Sequence, residues 1–201
     1  LAGSTLAEMA NPTNPTANEE ARKIGWQDLE QKTKYFMRHE YTHFVWDQLD
    51  SVTQKRVMDM FSKPENLAAT RSFASVLISK KEYQAQEETD PDKEAFEFNF
   101  GGRLHRYSKE FVVNELLAHA VLGDMATRED MTRIQRSTDR VENFGARSKT
   151  AFDVIDQLKT KSPRDYDFLK QEGLVDNQNF EHDYPRIVST ARSLNTNSPK
   201  G

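Results

Sequence analysis

The chain has 201 residues, of which 36% are hydrophobic and 30% charged, with a formal net charge of -4 and no cysteine. A chain of this length can bury a core, and one soluble domain is expected. The acidic balance disfavours nucleic acid or an anionic membrane as the main partner. No run of about 18 apolar residues is present, so we expect no transmembrane segment; a secreted or effector protein and a cytoplasmic one are both open. Without cysteine, a metal ion could be held only by His, Asp or Glu.

The first part of the chain predicts an extended lead followed by helices. Residues 1–17 carry prolines among small polar residues, which favours an extended or disordered segment. Apolar residues then recur at helical spacing over about 31–49, which predicts a helix. Ser51 is predicted to cap the next helix, and Pro64 is predicted to interrupt it. Residues 66–79 fit either a helix or a short strand.

The middle of the chain contains the clearest strand signal. Residues 82–94 are acidic and polar, which predicts a loop. Aromatic and polar residues then alternate over 95–107, on both sides of Gly101 and Gly102. This pattern predicts an antiparallel β-hairpin with a two-residue turn.

The remainder of the chain predicts a helical C-terminal part. Ser108 is expected to cap a helix over about 108–122. Further helices are predicted at 128–143, 148–160, 163–172 and 184–194. The fold class is therefore expected to be α+β and helix-dominated. We expect a single domain over 18–194 and a loose tail over 195–201.

The pattern HExxH, formed by His39, Glu40 and His43, carries the chemistry that the sequence predicts. Residues four apart lie on one helix face, so both imidazoles can converge on one tetrahedral ion. Glu40 is rotated by about 100° from His39 and can take a proton from a water bound to that ion. By residue frequencies alone, roughly one chain in a hundred of this composition would contain HExxH. The plainer interpretation is two surface histidines on an amphipathic helix.

A zinc site of this kind needs a third protein ligand and leaves one position for water. The side chains that could supply the ligand are Glu115, His105, His119, His182, Asp47 and Asp50. Glu115 is preferred because the residues around it on its predicted helix are apolar, and a carboxylate there is costly unless it is paired or metal-bound. Taken by itself, Glu115 would more commonly be a helix-surface glutamate.

His39, Glu40, His43 and Glu115 together make the sequence resemble the gluzincin peptidases, which use HExxH and a glutamate on a later helix. The pair Asn114-Glu115 is similar to the start of the NExxxD motif of the thermolysin type. In that family the acid four residues after the glutamate orients a zinc-binding histidine. This chain has His119 there, which could act only through an acceptor nitrogen. Asp47 is an alternative orienting carboxylate.

The closer resemblance is to the small gluzincins of the anthrax-lethal-factor type. In these a tyrosine just before the glutamate helix helps to stabilise the oxyanion, and Tyr107 stands in that place. His105 and His119 compete with Tyr107 for the role, and a hairpin aromatic packed on the core is an equally good interpretation of it. The resemblance also implies that an edge strand, Phe96–Phe100 or Arg103–Tyr107, binds an extended peptide by main-chain hydrogen bonds.

The sequence therefore predicts a zinc-dependent endopeptidase with one Zn²⁺ per chain and a peptide or protein substrate. Two alternatives stay open. One is a non-catalytic or degenerate peptidase-like interaction domain, since little strand signal precedes the HExxH helix. The other is a metal-dependent hydrolase of a non-peptide amide, because the motif does not determine the acyl group.

Overall fold

The computed structural model describes residues 34, 37–78, 86–100, 102–121, 144–180 and 182–185. Within them the secondary structure is mainly helical, and the only sheet is a two-stranded antiparallel hairpin. The predicted helix-dominated α+β class is confirmed. The predicted lead, the helix at 128–143 and the C-terminal tail lie outside the described residues, and the single domain over 18–194 stays a prediction.

The HExxH segment lies on the first helix, α1, which spans residues 37–48 of the predicted helix at 31–49. Its buried residues share one side of the helix: Arg38, His39, Thr42 and Trp46. The Thr42 hydroxyl donates to the Arg38 carbonyl at 3.0 Å, so this polar group has a hydrogen-bond partner inside the core. This arrangement turns His39 into the interior and leaves Glu40 exposed to solvent.

The second helix, α2, runs over Ser51–Ser62, and its N-cap is Asp50. The Asp50 carboxylate accepts from the Thr53 backbone N–H at 2.8 Å, which satisfies one of the orphan donors of the first turn. The prediction that Ser51 is the cap was therefore wrong by one residue. Asp and Ser are comparably good caps, so two adjacent candidates could not be separated by sequence alone.

Pro64 ends one helix and starts another. The third helix, α3, spans Pro64–Leu77 with the proline in its first turn, where the missing N–H has no intrahelical partner to lose. The predicted interruption is confirmed. The ambiguous residues 66–79 are helical as far as Leu77, and their large apolar side chains face the core.

The hairpin consists of β1 (Ala95–Phe100) and β2 (Arg103–Ser108). Its register places Phe96 opposite Tyr107 and Phe98 opposite His105. Phe96, Phe98 and Tyr107 are buried, whereas the alternate side chains face outwards, as the period of two requires. Gly102 has a φ of +79°, a conformation that favours glycine in a tight turn. The predicted hairpin is confirmed.

The fourth helix, α4, is the centre of the described structure. It spans Lys109–Ala120, and the Ser108 hydroxyl accepts from the Phe111 N–H at 3.5 Å at its start. It packs against α2, α3 and a later helix, α5 (Phe144–Lys161). A helix contacted on several sides is apolar nearly all round, and its buried residues are Val112, Val113, Leu116, Leu117, Ala118, His119 and Ala120.

The C-terminal part closes this helical core. α5 packs against α3, α4 and the helix that follows it, α6 (Pro163–Gln171). Pro163 stands in the first turn of α6, and Gly173 follows the helix with a φ of +73°, a conformation that favours glycine. Residues 178–180 and 182–185 are also helical. Among the described residues, no helix is long and apolar enough to span a bilayer.

Candidate metal centre

His39 and His43 turn their Nε2 atoms towards each other on α1. The two atoms are 3.2 Å apart, and the rings meet edge to face with centroids 4.8 Å apart and an interplanar angle of 83°. This arrangement follows from the spacing of four residues, which stacks the side chains on one face of the helix. The Nε2 atoms of both imidazoles therefore face the same position.

Glu115 reaches the same point from α4. Its Oε1 lies 3.9 Å from His43 Nε2, and one ligand atom each from His39, His43 and Glu115 can be chosen so that all lie within 4.8 Å of one another. The glutamate side chain is 14% exposed, in keeping with its place on the most buried helix. The three residues predicted as metal ligands are thus brought together from helices far apart in the chain.

Two of the separations among these atoms can be compared with those of a tetrahedral zinc site. Zinc bonds to nitrogen and oxygen of about 2.0–2.2 Å place neighbouring ligand atoms ~3.3–3.6 Å apart. The separations of 3.2 and 3.9 Å lie on either side of that range. Two nitrogens and one carboxylate oxygen are also a donor set that zinc commonly takes, with one position left for water or substrate.

The electrostatics of His39 favour the neutral imidazole that a metal needs. Burial lowers its pKa from 6.5 to about 3, and the nearby charges of His43 and Arg147 act in the same direction. A hydrogen bond to the backbone of Ala118 opposes them but is outweighed. At neutral pH the ring is therefore uncharged, which is the form that binds a metal ion.

His43 is oriented by Asn114, a residue to which the sequence assigned no role. His43 Nδ1 lies 2.9 Å from Asn114 Oδ1. An acceptor on Nδ1 fixes the ring with Nε2 towards the ligand cluster, as outer partners do in metal sites. Asp47, the predicted alternative orienting acid, is instead exposed on α1. The position of Asn114 directly before Glu115 is the sequence feature that could have indicated this role.

His119 lies beside the cluster and is fully buried, at 1% exposure. Its Nε2 is 3.6 Å from Glu115 Oε2, and its ring meets the His39 ring edge to face at 4.7 Å. The predicted role of His119, as an acceptor for a zinc-binding histidine, stays a prediction.

Glu40 and Tyr107 have opposite surroundings. Glu40 is exposed on the solvent side of α1, one residue from His39. Tyr107 is 1% exposed, and its ring packs near Phe98 and Phe111 with centroid distances of 6.3 and 6.4 Å. Burial raises the pKa of the Tyr107 phenol, and the charge of Glu87 adds to this, so the hydroxyl keeps its proton. Its predicted part in oxyanion stabilisation stays a prediction.

The other candidate ligands are engaged elsewhere. His105 pairs with Glu87 on the hairpin, with 3.4 Å between Nδ1 and Oε1. His182 is exposed and lies next to Asp183. Asp50 caps α2. None of them belongs to the metal-binding group found among the described residues.

Comparison of the chain with models of protein families, with characterised proteins and with solved structures finds no match. The resemblance to gluzincins rests on His39, Glu40, His43 and the Asn114-Glu115 pair and remains a prediction.

Proposed function

We propose that this chain is a zinc-dependent endopeptidase whose metal is held by His39, His43 and Glu115. One observation carries the proposal: a predicted HExxH helix and a glutamate predicted from a separate helix converge within 4.8 Å. Because α1 and α4 are far apart in the chain, two surface histidines on an amphipathic helix would not be expected to meet a carboxylate of α4 in this way. An exposed glutamate, Glu40, stands next to the cluster.

Each residue has a distinct part in the proposed reaction. A zinc ion held here would polarise the scissile carbonyl and lower the pKa of a water molecule towards about 7. Glu40 would accept the proton of the attacking water and pass it to the leaving amine. Tyr107, protonated in its buried setting, would donate to the negative charge that develops on the carbonyl oxygen.

The outer edge of β1 is the better candidate for holding an extended peptide. Arg106 lies opposite Glu97, and its carbonyl accepts from the Glu88 N–H at 2.8 Å, so the outer edge of β2 is engaged at this point. In an antiparallel pair of this type both residues turn their main-chain groups outwards. The N–H and C=O of Glu97 therefore face the opposite edge, where a substrate strand could add.

The decisive experiment combines zinc analysis with cleavage of a peptide library by the wild type and by Glu40→Gln. We expect one zinc per chain in both proteins and cleavage only by the wild type, since the amide cannot take the proton. Glu65→Gln, an exposed glutamate on α3, is the matched control and should cleave normally. A folded wild type without zinc would overturn the proposal. Zinc without peptide cleavage would favour the interaction domain or the non-peptide hydrolase.

A further inference from the structure

The two carboxylate oxygens of Glu115 face two different histidines. Oε1 lies 3.9 Å from Nε2 of His43, and Oε2 lies 3.6 Å from Nε2 of His119. Glu115 and His119 are four residues apart on α4, so they share a face of the helix. The glutamate is therefore placed between a predicted metal ligand on one side and a second, deeper imidazole on the other.

The position of the His119 ring is fixed by three helices. The ring belongs to α4, meets the His39 ring of α1 at 4.7 Å, and lies 6.1 Å from the Phe73 ring of α3. Its side chain is 2% exposed. Swinging this ring towards solvent would require the helices to separate, so the atom that faces Glu115 is held in place by packing.

We propose that His119 is a positioning residue: in the zinc-loaded protein its Nε2–H, whose nitrogen here lies 3.6 Å from Oε2 of Glu115, would donate to that oxygen and leave Oε1 alone for the metal. The inference rests on the proposed zinc site. When a buried carboxylate gives one oxygen to a metal ion, its other oxygen still needs a donor, and leaving it without one costs about 1–3 kcal/mol. Outer donors of this kind also fix the direction of the ligand.

Histidine is a suitable residue type for this positioning role. The resemblance to NExxxD implies an acid at this position, acting on a histidine. An imidazole can instead donate, and Oε2 of Glu115 lies 3.6 Å from its Nε2. The His39 ring has a hydrogen bond to the backbone of Ala118. The substitution of a donor for an acceptor thus moves the outer support from the histidine to the glutamate.

The test measures zinc affinity by competition with a chelator, for His119→Gln and His119→Leu against the wild type. Glutamine places an N–H donor near the position of Nε2, whereas leucine fills space without one. We expect the leucine variant to bind zinc ~10–100-fold more weakly and the glutamine variant to stay within about 3-fold of the wild type, as for loss and retention of an outer partner. Phe73→Leu, which disturbs the same packing but keeps the donor, controls for loosening of the core.

Two spectroscopic readouts separate positioning from packing. The cobalt-substituted protein should change its visible absorption in His119→Leu and keep it in His119→Gln, because only the former alters the ligation of Glu115. In the zinc-loaded wild type, ¹⁵N NMR of the histidine rings should show a proton on Nε2 of His119. The NMR measurement needs no variant, so it tests the proposed donor role of His119 even where His119→Leu does not fold.

Each outcome is informative. Equal zinc affinity in folded His119→Leu and wild type would overturn the inference while leaving the proposed peptidase intact. A deprotonated Nε2 bound to the metal would overturn it too, since His119 would then be a fourth ligand of a closed site. A wild type that binds no zinc would remove the proposed function and this inference together.

Discussion

Two histidine–glutamate pairs of similar length lie in different surroundings in this molecule. His119 Nε2 and Glu115 Oε2 are 3.6 Å apart with side chains 2% and 14% exposed, in the helical core. His105 Nδ1 and Glu87 Oε1 are 3.4 Å apart with side chains 20% and 26% exposed, on the hairpin. Distance alone does not distinguish the two pairs.

The difference lies in what occupies the second oxygen of each carboxylate. Glu87 Oε2 faces the guanidinium of Arg103 at 3.4 Å, so its charge is compensated at the surface, where such pairs contribute little to stability. Glu115 Oε1 faces His43, itself a predicted ligand, in a setting with less water. Glu115 is the candidate metal ligand of the two because its Oε1 faces a histidine of the HExxH motif and its side chain is mostly buried.

The largest expected contrast is between Glu115→Gln and Glu87→Gln. We expect Glu115→Gln to weaken zinc binding by more than about 100-fold, because it replaces the only anionic ligand with an amide. Glu87→Gln should leave zinc affinity unchanged. Isothermal titration of both variants checks this, and an equal loss in both would mean that the hairpin also contributes to the metal centre.

The next effect concerns the stability of the zinc-free protein between pH 7 and pH 5. Folding lowers the pKa of His39 to about 3, so below its ordinary value of 6.5 the unfolded chain binds a proton that the folded chain does not. Stability should therefore fall as the pH drops, by about 2 kcal/mol over this interval from His39 alone. Urea denaturation at each pH measures the slope.

The control for this slope is His39→Asn, which has no group to titrate at that position. Its stability should depend less steeply on pH than that of the wild type, whatever its absolute stability is. Identical slopes in the two proteins would show that the buried face of α1 does not exclude the charged form of the ring.

A smaller effect is expected at Asn114. Asn114→Leu removes the acceptor on His43 Nδ1 and should weaken zinc binding by about 10-fold, the lower end for an outer partner. Asn114→Asp keeps an acceptor at the same position and should retain the affinity. Chelator competition compares the two, and a loss in Asn114→Asp as large as that in Asn114→Leu would contradict the role assigned to the oxygen.

The smallest effect is expected on the hairpin. His105→Gln breaks the pair with Glu87, and the free energy of unfolding should change by no more than about 0.5 kcal/mol because the pair is partly exposed. Thermal or urea denaturation would detect a larger change in the free energy of unfolding. A loss above about 1 kcal/mol would remove the distinction drawn between the two pairs.

The parts of the molecule that sequence predicted well depend on local periodicity. The spacing of His39 and His43, and the alternation around Gly102, each follow from the repeat of one element. Glu115 was found because a carboxylate among apolar residues is unusual. In the structure, ligand atoms of the three predicted residues lie within 4.8 Å of one another, which agrees with these local arguments.

The parts that sequence missed depend on which faces of different helices meet. The contact of Asn114 with His43 joins α4 to α1. No local pattern specifies such a contact, because it is set by the packing of the whole core. The choice of Asp50 over Ser51 as a cap is a difference of one residue between two equally suitable side chains.

Ser108 is both the last residue of β2 and the N-cap of α4, so no loop separates the hairpin from the helix that carries Glu115. A residue inserted at this junction would turn Glu115 by about 100° relative to the hairpin. Length changes there are therefore expected to be selected against during evolution, whereas surface loops can drift. The spacing from Ser108 to Glu115 is a feature by which distant descendants of this chain could be recognised even after most side chains have changed.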